Sequence, residues 1–395
     1  MTDKATFQFI TDHKHDDTRK LALQAKRYRD VDMNFALRQI SGLQIAREKI
    51  PSWYKNNSVI YPVHLSMEQS SSEKTAMYKA SLCEGSTLVD LTGGLGVDFS
   101  FMSQKFEHAI YVEKQPGLVD LANHNFKALG LDNISVINDD TESFLEKMEL
   151  VDFIYIDPAR RSSSGRKTVL IEDCTPNIIE LENIIGQKCD TAIIKLSPML
   201  DISRALTSLN DVSEVHIVSV ANECKELLFV KNTNKVTETK FCCINITNNK
   251  TEKYIFTRSG EESALPFFSP DIKRYLYEPN ASVLKAGAYK KIALDFGLAK
   301  LHPNSHLYTS EALNENFPGR KFVVKESFTF GKKELKSKLQ SIKKANITVR
   351  NFPLSVDEIR KKTSIKEGGD IYIFATTLAN EEKILIIAEK IQKSV

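Results

Sequence analysis

The segment Val89-Asp-Leu-Thr-Gly-Gly-Leu-Gly-Val-Asp-Phe99 holds the residues best suited to gripping a small charged ligand. An apolar run ends near Asp90 and passes into a turn containing Gly93, Gly94 and Gly96, with a helical segment directly after. Glycines there permit positive φ and let the backbone come close to a ligand, and the helix N-terminus faces the same crevice. The spacing is D-x-x-G-G-x-G, not the G-x-G-x-x-G of dinucleotide folds. An acid ahead of the glycines disfavours a pyrophosphate and favours a cationic or zwitterionic ligand, such as one with an amino-acid moiety. About twenty residues on, a second run ends Tyr111-Val-Glu113, placing a carboxylate where it can accept from both ribose hydroxyls. A third ends Asn138-Asp139-Asp140, where a carboxylate can accept from an adenine amino group. Each acid alone reads as a helix cap or a solvated strand end. Three at successive strand ends, in register with a glycine turn, point to one slot.

A fourth run ends Ile156-Asp-Pro-Ala-Arg-Arg161, followed by Ser162-Ser-Ser-Gly. Pro158 fixes φ and removes a donor, stiffening the turn. Asp157 is suited to orienting or deprotonating an acceptor, and Arg160 or Arg161 to holding a phosphate or an electron-rich base. The plainer reading is that Asp157 caps a turn and both arginines face solvent. A fifth run ends Lys195-Leu-Ser-Pro-Met-Leu-Asp201, where Lys195 is either a buried partner or a substrate contact. The six cysteines lack C-x-x-C spacing, and Cys174 and Cys224 read as core thiols. His64, His108, His124, His216, His302 and His306 are dispersed among non-ligand neighbours, and His13 and His15 lack carboxylates at metal spacing, so no metal site is expected.

These residues need a sheet to bring them together. From residue 86 short Val/Ile-rich runs alternate with helical segments, the pattern of strands buried on both faces in a parallel sheet sandwiched by helices. Glu226-Leu-Leu-Phe-Val and Phe241-Cys-Cys-Ile-Asn-Ile flank a polar turn and read as an antiparallel hairpin closing the sheet edge. The expected architecture is a doubly wound α/β domain over residues 86–248, after a helical region over 1–85. In that region Phe35, Ile40, Leu43 and Ile45 can line one helix side, and Ser70-Ser-Ser-Glu73 fits a capping box. Residues 271–320, rich in Tyr, Pro, Asn and Gly, read as a small α+β module, and 321–395 as a further one.

Composition narrows the functional classes. The chain has 395 residues, 42% hydrophobic and 27% charged, enough for two or three packed domains and unlike a disordered chain. No apolar run is long enough to span a bilayer, the polar start does not resemble a signal peptide, and the cysteine pattern suggests a reducing, cytoplasmic compartment. The net charge of +3 is uneven: residues 318–350 carry Arg320, Lys321, Lys325, Lys332, Lys333, Lys336, Lys338, Lys343, Lys344 and Arg350 against Glu326 and Glu334. One basic patch on a mildly acidic body suits a protein that grips a polyanion, although such runs are more often solvated helix faces.

The segment 86–200 resembles a class I S-adenosylmethionine-dependent methyltransferase, with glycine loop, ribose acid, adenine acid and fourth-strand motif in order. The helix Ser70-Ser-Ser-Glu-Lys-Thr-Ala-Met-Tyr-Lys resembles the segment that packs over the methionine end of the cofactor in many RNA methyltransferases. Residues 271–320, with Tyr277-Glu-Pro-Asn and Phe317-Pro-Gly-Arg, resemble a ferredoxin-like module, and residues 321–395 a THUMP-like domain. The resemblance implies a mostly parallel, seven-stranded Rossmann-like sheet and S-adenosyl-L-methionine as cofactor. It implies cofactor contacts from Asp90, Thr92, Gly93, Gly94, Gly96, Glu113, Asp139 and Asp140, and catalytic roles for Asp157, Pro158 and Arg160. The implied acceptor is a base in RNA, with tRNA favoured, bound through the basic C-terminal region. The fourth-strand motif departs from N-P-P-aromatic and is closer to D-P-P, with Ala159 at the second proline, which leaves the methylated atom open. Rival readings are a methyltransferase for a small molecule or protein and a non-catalytic RNA-binding adapter.

Overall fold

The computed structural model describes residues 4–62, 64–160, 171–232 and 237–391. Nine strands form the larger sheet: β1 (Thr87–Asp90), β2 (His108–Glu113), β3 (Ile134–Asn138), β4 (Val151–Ile156), β5 (Cys189–Leu196), β6 (Val212–Val220), β7 (Glu223–Asn232), β8 (Lys240–Ile246) and β9 (Thr251–Thr257). Their order is β3-β2-β1-β4-β5-β7-β6-β8-β9. β1 pairs in parallel with β2 and β4, β2 with β3, and β4 with β5. The central strands bury both faces, as their unbroken Val/Ile runs require, with Leu88, Val89, Ile154, Ile156, Ile193 and Ile194 fully enclosed. The sheet is thus mostly parallel and doubly wound, as expected, but has nine strands where seven were expected.

The expected edge hairpin is not formed. β7 runs antiparallel to β5 and lies between β5 and β6, while β8 pairs in parallel with β6 and β9 runs antiparallel to β8. Leu227, Leu228 and Phe229 are wholly buried, and an interior position covers both faces of such a run where an edge would leave it exposed. The tight connection is instead β6 to β7 through Ala221 and Asn222, with φ of 50° and 67°. Two consecutive positive φ values give the turn whose twist matches a hairpin.

The chain divides into two compact units, Met1–Ser213 with Glu226–Thr237, and Glu214–Lys225 with Glu238–Val395. In the first, N-terminal helices precede β1. The helix Met33–Lys49 buries Ala36, Gln39, Ile40, Gly42 and Ala46, while Phe35, Leu43 and Ile45 are only half-buried at the margin of that stripe. Gly42 lies so close to Tyr61 that a Cβ would sit 2.2 Å from the tyrosine Cβ. The helix Glu73–Ala80 is capped by Ser72, whose Oγ accepts from Thr75 N, and not by Ser70. Glu73 therefore closes no box; its carboxylate accepts from Ser52 N across the helix pair.

The second unit holds a seven-stranded sheet of β10 (Tyr275–Pro279), β11 (Ala299–Lys300), β12 (Tyr308–Ser310), β13 (Gly319–Thr329), β14 (Asn346–Arg350), β15 (Ile371–Thr377) and β16 (Lys383–Lys390). Its order is β11-β12-β10-β13-β16-β15-β14. β10 pairs with β13, placing Glu278 opposite Arg320. Helices Lys332–Leu339 and Val356–Thr363 cover one face through Leu339 and Ile359, which pack on Ile373, Ala375 and Leu385. No helix among the described residues is long and apolar enough to cross a membrane.

Candidate active site

The glycine turn is built by β1 and β2 together. Gly93 N donates to Val112 O at 2.9 Å, and a Cβ on Gly93 would meet the Tyr111 ring at 2.2 Å. Gly96 has φ +78°, caps the helix Val97–Met102, and would drive a Cβ into Phe126 at 2.7 Å. These two glycines answer to internal packing. Gly94 differs: with φ +55° its Cβ would meet only Thr92 O at 3.6 Å, so the bare backbone there is open to a ligand. Of the three glycines expected to serve ligand approach, Gly94 is the one whose Cβ side is open.

Glu113, at the end of β2, is 7% exposed and accepts from Gly94 N at 3.0 Å and Gln115 N at 2.8 Å. Asp90, 2% exposed, accepts from Thr92 N at 2.9 Å, and the Thr92 hydroxyl accepts from Asp157 N at 2.7 Å. Thr92 therefore ties the ends of β1 and β4. Burial pushes the Asp90 carboxyl well above its ordinary range, only partly countered by the Thr92 amide, and Asp98, Asp157 and Glu113 push it the same way. Acids converging on an open stretch of backbone suit a ligand with positive centres, which is what a methionine ammonium and a sulfonium supply. The residues fit S-adenosylmethionine.

Behind Asp157 runs a row of alternating charge absent from the sequence reading. Asp157 Oδ2 accepts from Lys195 Nζ at 2.5 Å, and Lys195 also lies 3.4 Å from Asp98 Oδ2. Lys79 Nζ is 3.2 Å from Asp98 Oδ1 and 2.6 Å from both oxygens of Glu226. Asp98 Oδ2 accepts from the hydroxyls of Ser71 at 2.7 Å and Tyr155 at 2.8 Å. Burial works against the Asp98 carboxylate, but Lys79, Lys195 and the two hydroxyls outweigh it and hold it below the usual range. Burial likewise works against the Lys195 ammonium, and Asp157, Asp98 and Glu226 outweigh it, raising Lys195 above the ordinary lysine range. Lys79 lies on the buried face of its helix with Thr75, Ala76 and Ala80, and that helical spacing was the signal that could have found it. Of its two readings, Lys195 shows the ion pair, with a side chain 14% exposed.

The remaining sequence candidates divide. Asp139 is half-buried, accepts from Asp140 N and pairs with Lys147 at 3.4 Å. Asp140 is exposed and caps the helix Thr141–Lys147, its carboxylate taking Ser143 N and Oγ, which pulls it below its ordinary value. Pro158 is buried. Ala159–Arg160 pairs antiparallel with Cys174–Thr175, and the Arg160 side chain, Arg161 and Ser162-Ser-Ser-Gly lie outside the described residues. Cys174 is buried as read, whereas Cys224 is only half-buried.

In the second unit β6 and β8 bring Glu214, His216 and Cys242 together, their ligand-capable atoms all within 4.8 Å. The dispersal of histidines along the chain thus does not hold in space for His216. Its Nε2 lies 2.8 Å from Glu214 Oε2, a bond that holds the Glu214 carboxyl low. In the basic stretch, Arg320 and Arg350 both engage the buried Glu278, Lys321 bonds to Phe317 O and Gly319 O, Lys325 pairs with Glu389, and Lys338 with Glu326. Lys332, Lys333, Lys336, Lys343 and Lys344 remain exposed, with no ion pair among the described residues.

Residues 275–318 match a ferredoxin-like domain model and residues 319–390 a THUMP domain-like model. The chain is 34% identical to a "putative methyltransferase" from Porphyromonas gingivalis W83, whose crystal structure superposes with a TM-score of 0.88 over 98% of both chains. It is also 20% identical over 324 residues, 79% of this chain and 83% of the other, to an uncharacterised S-adenosylmethionine-dependent methyltransferase found in two strains of Mycobacterium tuberculosis. With the open Gly94, the buried acids around it and the sheet order as described, the chain belongs to the S-adenosylmethionine-dependent methyltransferases that carry C-terminal ferredoxin-like and THUMP-like domains.

Proposed function

We propose that this methyltransferase acts on a base in RNA, with tRNA favoured, in the cytoplasm. The observation that carries the reading is the group of five exposed lysines without acid partners, Lys332, Lys333, Lys336, Lys343 and Lys344, within the segment matching a THUMP-like domain. Of the ten basic residues in that stretch the other five are occupied internally, so these five supply the cationic surface. Phosphates are its natural counter-charge, and RNA would be recognised by shape as much as by sequence.

Bound S-adenosylmethionine supplies an already activated methyl carbon, so the work left to the chain is positioning and proton removal. Gly94 offers bare backbone to the cofactor, Thr92 holds the strand ends that frame it, and Glu113 takes the ribose hydroxyls while keeping its bond to Gly94 N. Asp139 is the acid for the adenine amino group. Pro158 stiffens the turn after β4, and Asp157 Oδ1, with no partner among the described residues, faces the acceptor. Arg160 is assigned to the substrate.

The test incubates the full chain with deuteromethyl-labelled cofactor and total tRNA from cells lacking the protein, followed by nucleoside mass spectrometry. One labelled nucleoside is expected. Cofactor binding by calorimetry without label in any RNA would overturn the RNA reading and leave the small-molecule and protein acceptors.

A further inference from the structure

We infer that Lys195 is a positioning residue for methyl transfer: backed by the buried row Asp98, Lys79 and Glu226, it aims the Asp157 carboxylate so that Oδ1 meets the proton of an N–H acceptor. The inference rests on the reading of Asp157 as the group facing the acceptor. It extends that reading to residues that act through Asp157.

From Lys79 outward, exposure rises along the row. Glu226 and Lys79 have side chains 4% and 0% exposed, Asp98 10%, Lys195 14% and Asp157 39%. Burying three charges and most of a fourth is a poor route to stability, because desolvation offsets most of the Coulomb gain and apolar residues pack as well. A row that is closed at Glu226 and opens to solvent only at Asp157 has a direction, and that direction is toward the strand-end crevice. The geometry leaves little slack. Lys195 Nζ is fixed by Asp157 Oδ2 at 2.5 Å, by Ser71 Oγ at 3.2 Å and by Asp98 Oδ2 at 3.4 Å. Asp98 is in turn fixed by Ser71, Tyr155 and Lys79. The Asp157 backbone is pinned separately through its N–H to the Thr92 hydroxyl. With backbone and Oδ2 both held, Oδ1 has one orientation, the preorganisation that productive geometry demands.

The step balances. The acceptor nitrogen's lone pair forms the new N–CH3 bond, and the C–S bond breaks with its electron pair going to sulfur, which becomes a neutral thioether. The nitrogen becomes cationic and its proton passes to Asp157 Oδ1. A nitrogen that has just gained positive charge is acidic, so an ammonium-paired carboxylate is a sufficient base. Loss of the sulfonium charge is matched by neutralisation of Asp157, and Lys195 remains protonated throughout, as its raised pKa allows.

Two measurements test this. In 15N-lysine-labelled full-length protein, the Lys195 ammonium resonance, assigned through Lys195→Met, is expected to persist to pH 10 and to move in Asp157→Asn. Its loss well below pH 10, or its indifference to Asp157→Asn, would overturn the row whatever the substrate proves to be. In single-turnover transfer to the tRNA pool above, Lys195→Met is expected to lower the rate at least tenfold, leave cofactor affinity within threefold, and move the acid limb of the rate profile to higher pH. Lys195→Arg should restore the limb. Equal loss in both variants with an unmoved limb would mark Lys195 as structural. Absence of transfer by the wild type would count against the RNA reading alone, since the resonance test stands without it.

Discussion

Replacing Glu113 by Gln tests the cofactor slot most sharply, because it keeps shape and removes charge. The carboxylate accepts two backbone N–H groups, from Gly94 at 3.0 Å and Gln115 at 2.8 Å, while 7% exposed. A glutamine amide offers one oxygen, so its NH2 must face one of those donors or turn away and leave it unpaired. A hydrogen bond to a charged group is worth about 1.5–3 kcal/mol. Lost at the backbone donors, that lowers the urea midpoint; lost between Glu113 and the ribose hydroxyls assigned to it, it is roughly 10- to 150-fold in Kd at 1.4 kcal/mol per decade. Calorimetric titration with S-adenosylmethionine and S-adenosylhomocysteine measures it, with urea unfolding run in parallel to confirm a folded variant. A folded Glu113→Gln protein that binds both ligands within twofold of wild type would refute the assignment of β2's terminal acid to the ribose.

Three further outcomes follow from the same geometry. Gly93→Ala should destabilise the first unit by about 1–3 kcal/mol, read as a lowered urea midpoint, because the Cβ meets a Tyr111 ring already held between Phe99 and Phe126; an unchanged midpoint would mean that the ring can move. His306 is held down to about 4 by burial, then by Lys300 and Arg350, against about 6.5 when unfolded. The unfolded chain therefore takes up the proton first, so this contribution to stability is complete above pH 6.5 and erodes as pH falls toward 4. His306→Asn, which tolerates the native φ of 53°, should flatten that dependence in urea unfolding at pH 4.5, 5.5 and 7, and equal slopes would exclude His306 as the source. Charge reversal at Lys332, Lys333 and Lys336 should weaken tRNA binding and reduce the slope of log K against log salt by about 2–3, and an unaltered slope would show that RNA lies elsewhere.

The parts legible in the sequence were those written in local pattern. Unbroken Val/Ile runs gave the parallel strands, and the glycine turn between Asp90 and Phe99 marked where the crevice opens. The placement of β7 was not legible, since its hairpin turn uses Ala221 and Asn222 at positive φ, where glycine would have been the signal. Pairing by nearness in sequence then chose β8 as its partner, whereas full burial of Leu227–Phe229 demanded an interior position. The charged row was hidden because its members are scattered: Lys79 and Glu226 lie 147 residues apart and meet only when β7 enters the sheet. Asp140 caps the next helix, a role that a ligand acid at a strand end shares in sequence, so the pattern alone does not separate the two. The basic stretch overstated its free charge, half of it being spent on Glu278, Glu326, Glu389 and backbone carbonyls.

Glu278 lies in the ferredoxin-like segment, and the two guanidinium groups that engage it, those of Arg320 and Arg350, come from the THUMP-like one. With β10 and β13 zipped side by side, the segments form one slab with no joint between them. Cutting the gene at residue 319 would therefore strip β10 of its neighbour β13 and Glu278 of both guanidinium partners. A truncated protein that lost RNA affinity would report collapse of the slab, so the lysines have to be interrogated one charge at a time in the intact chain.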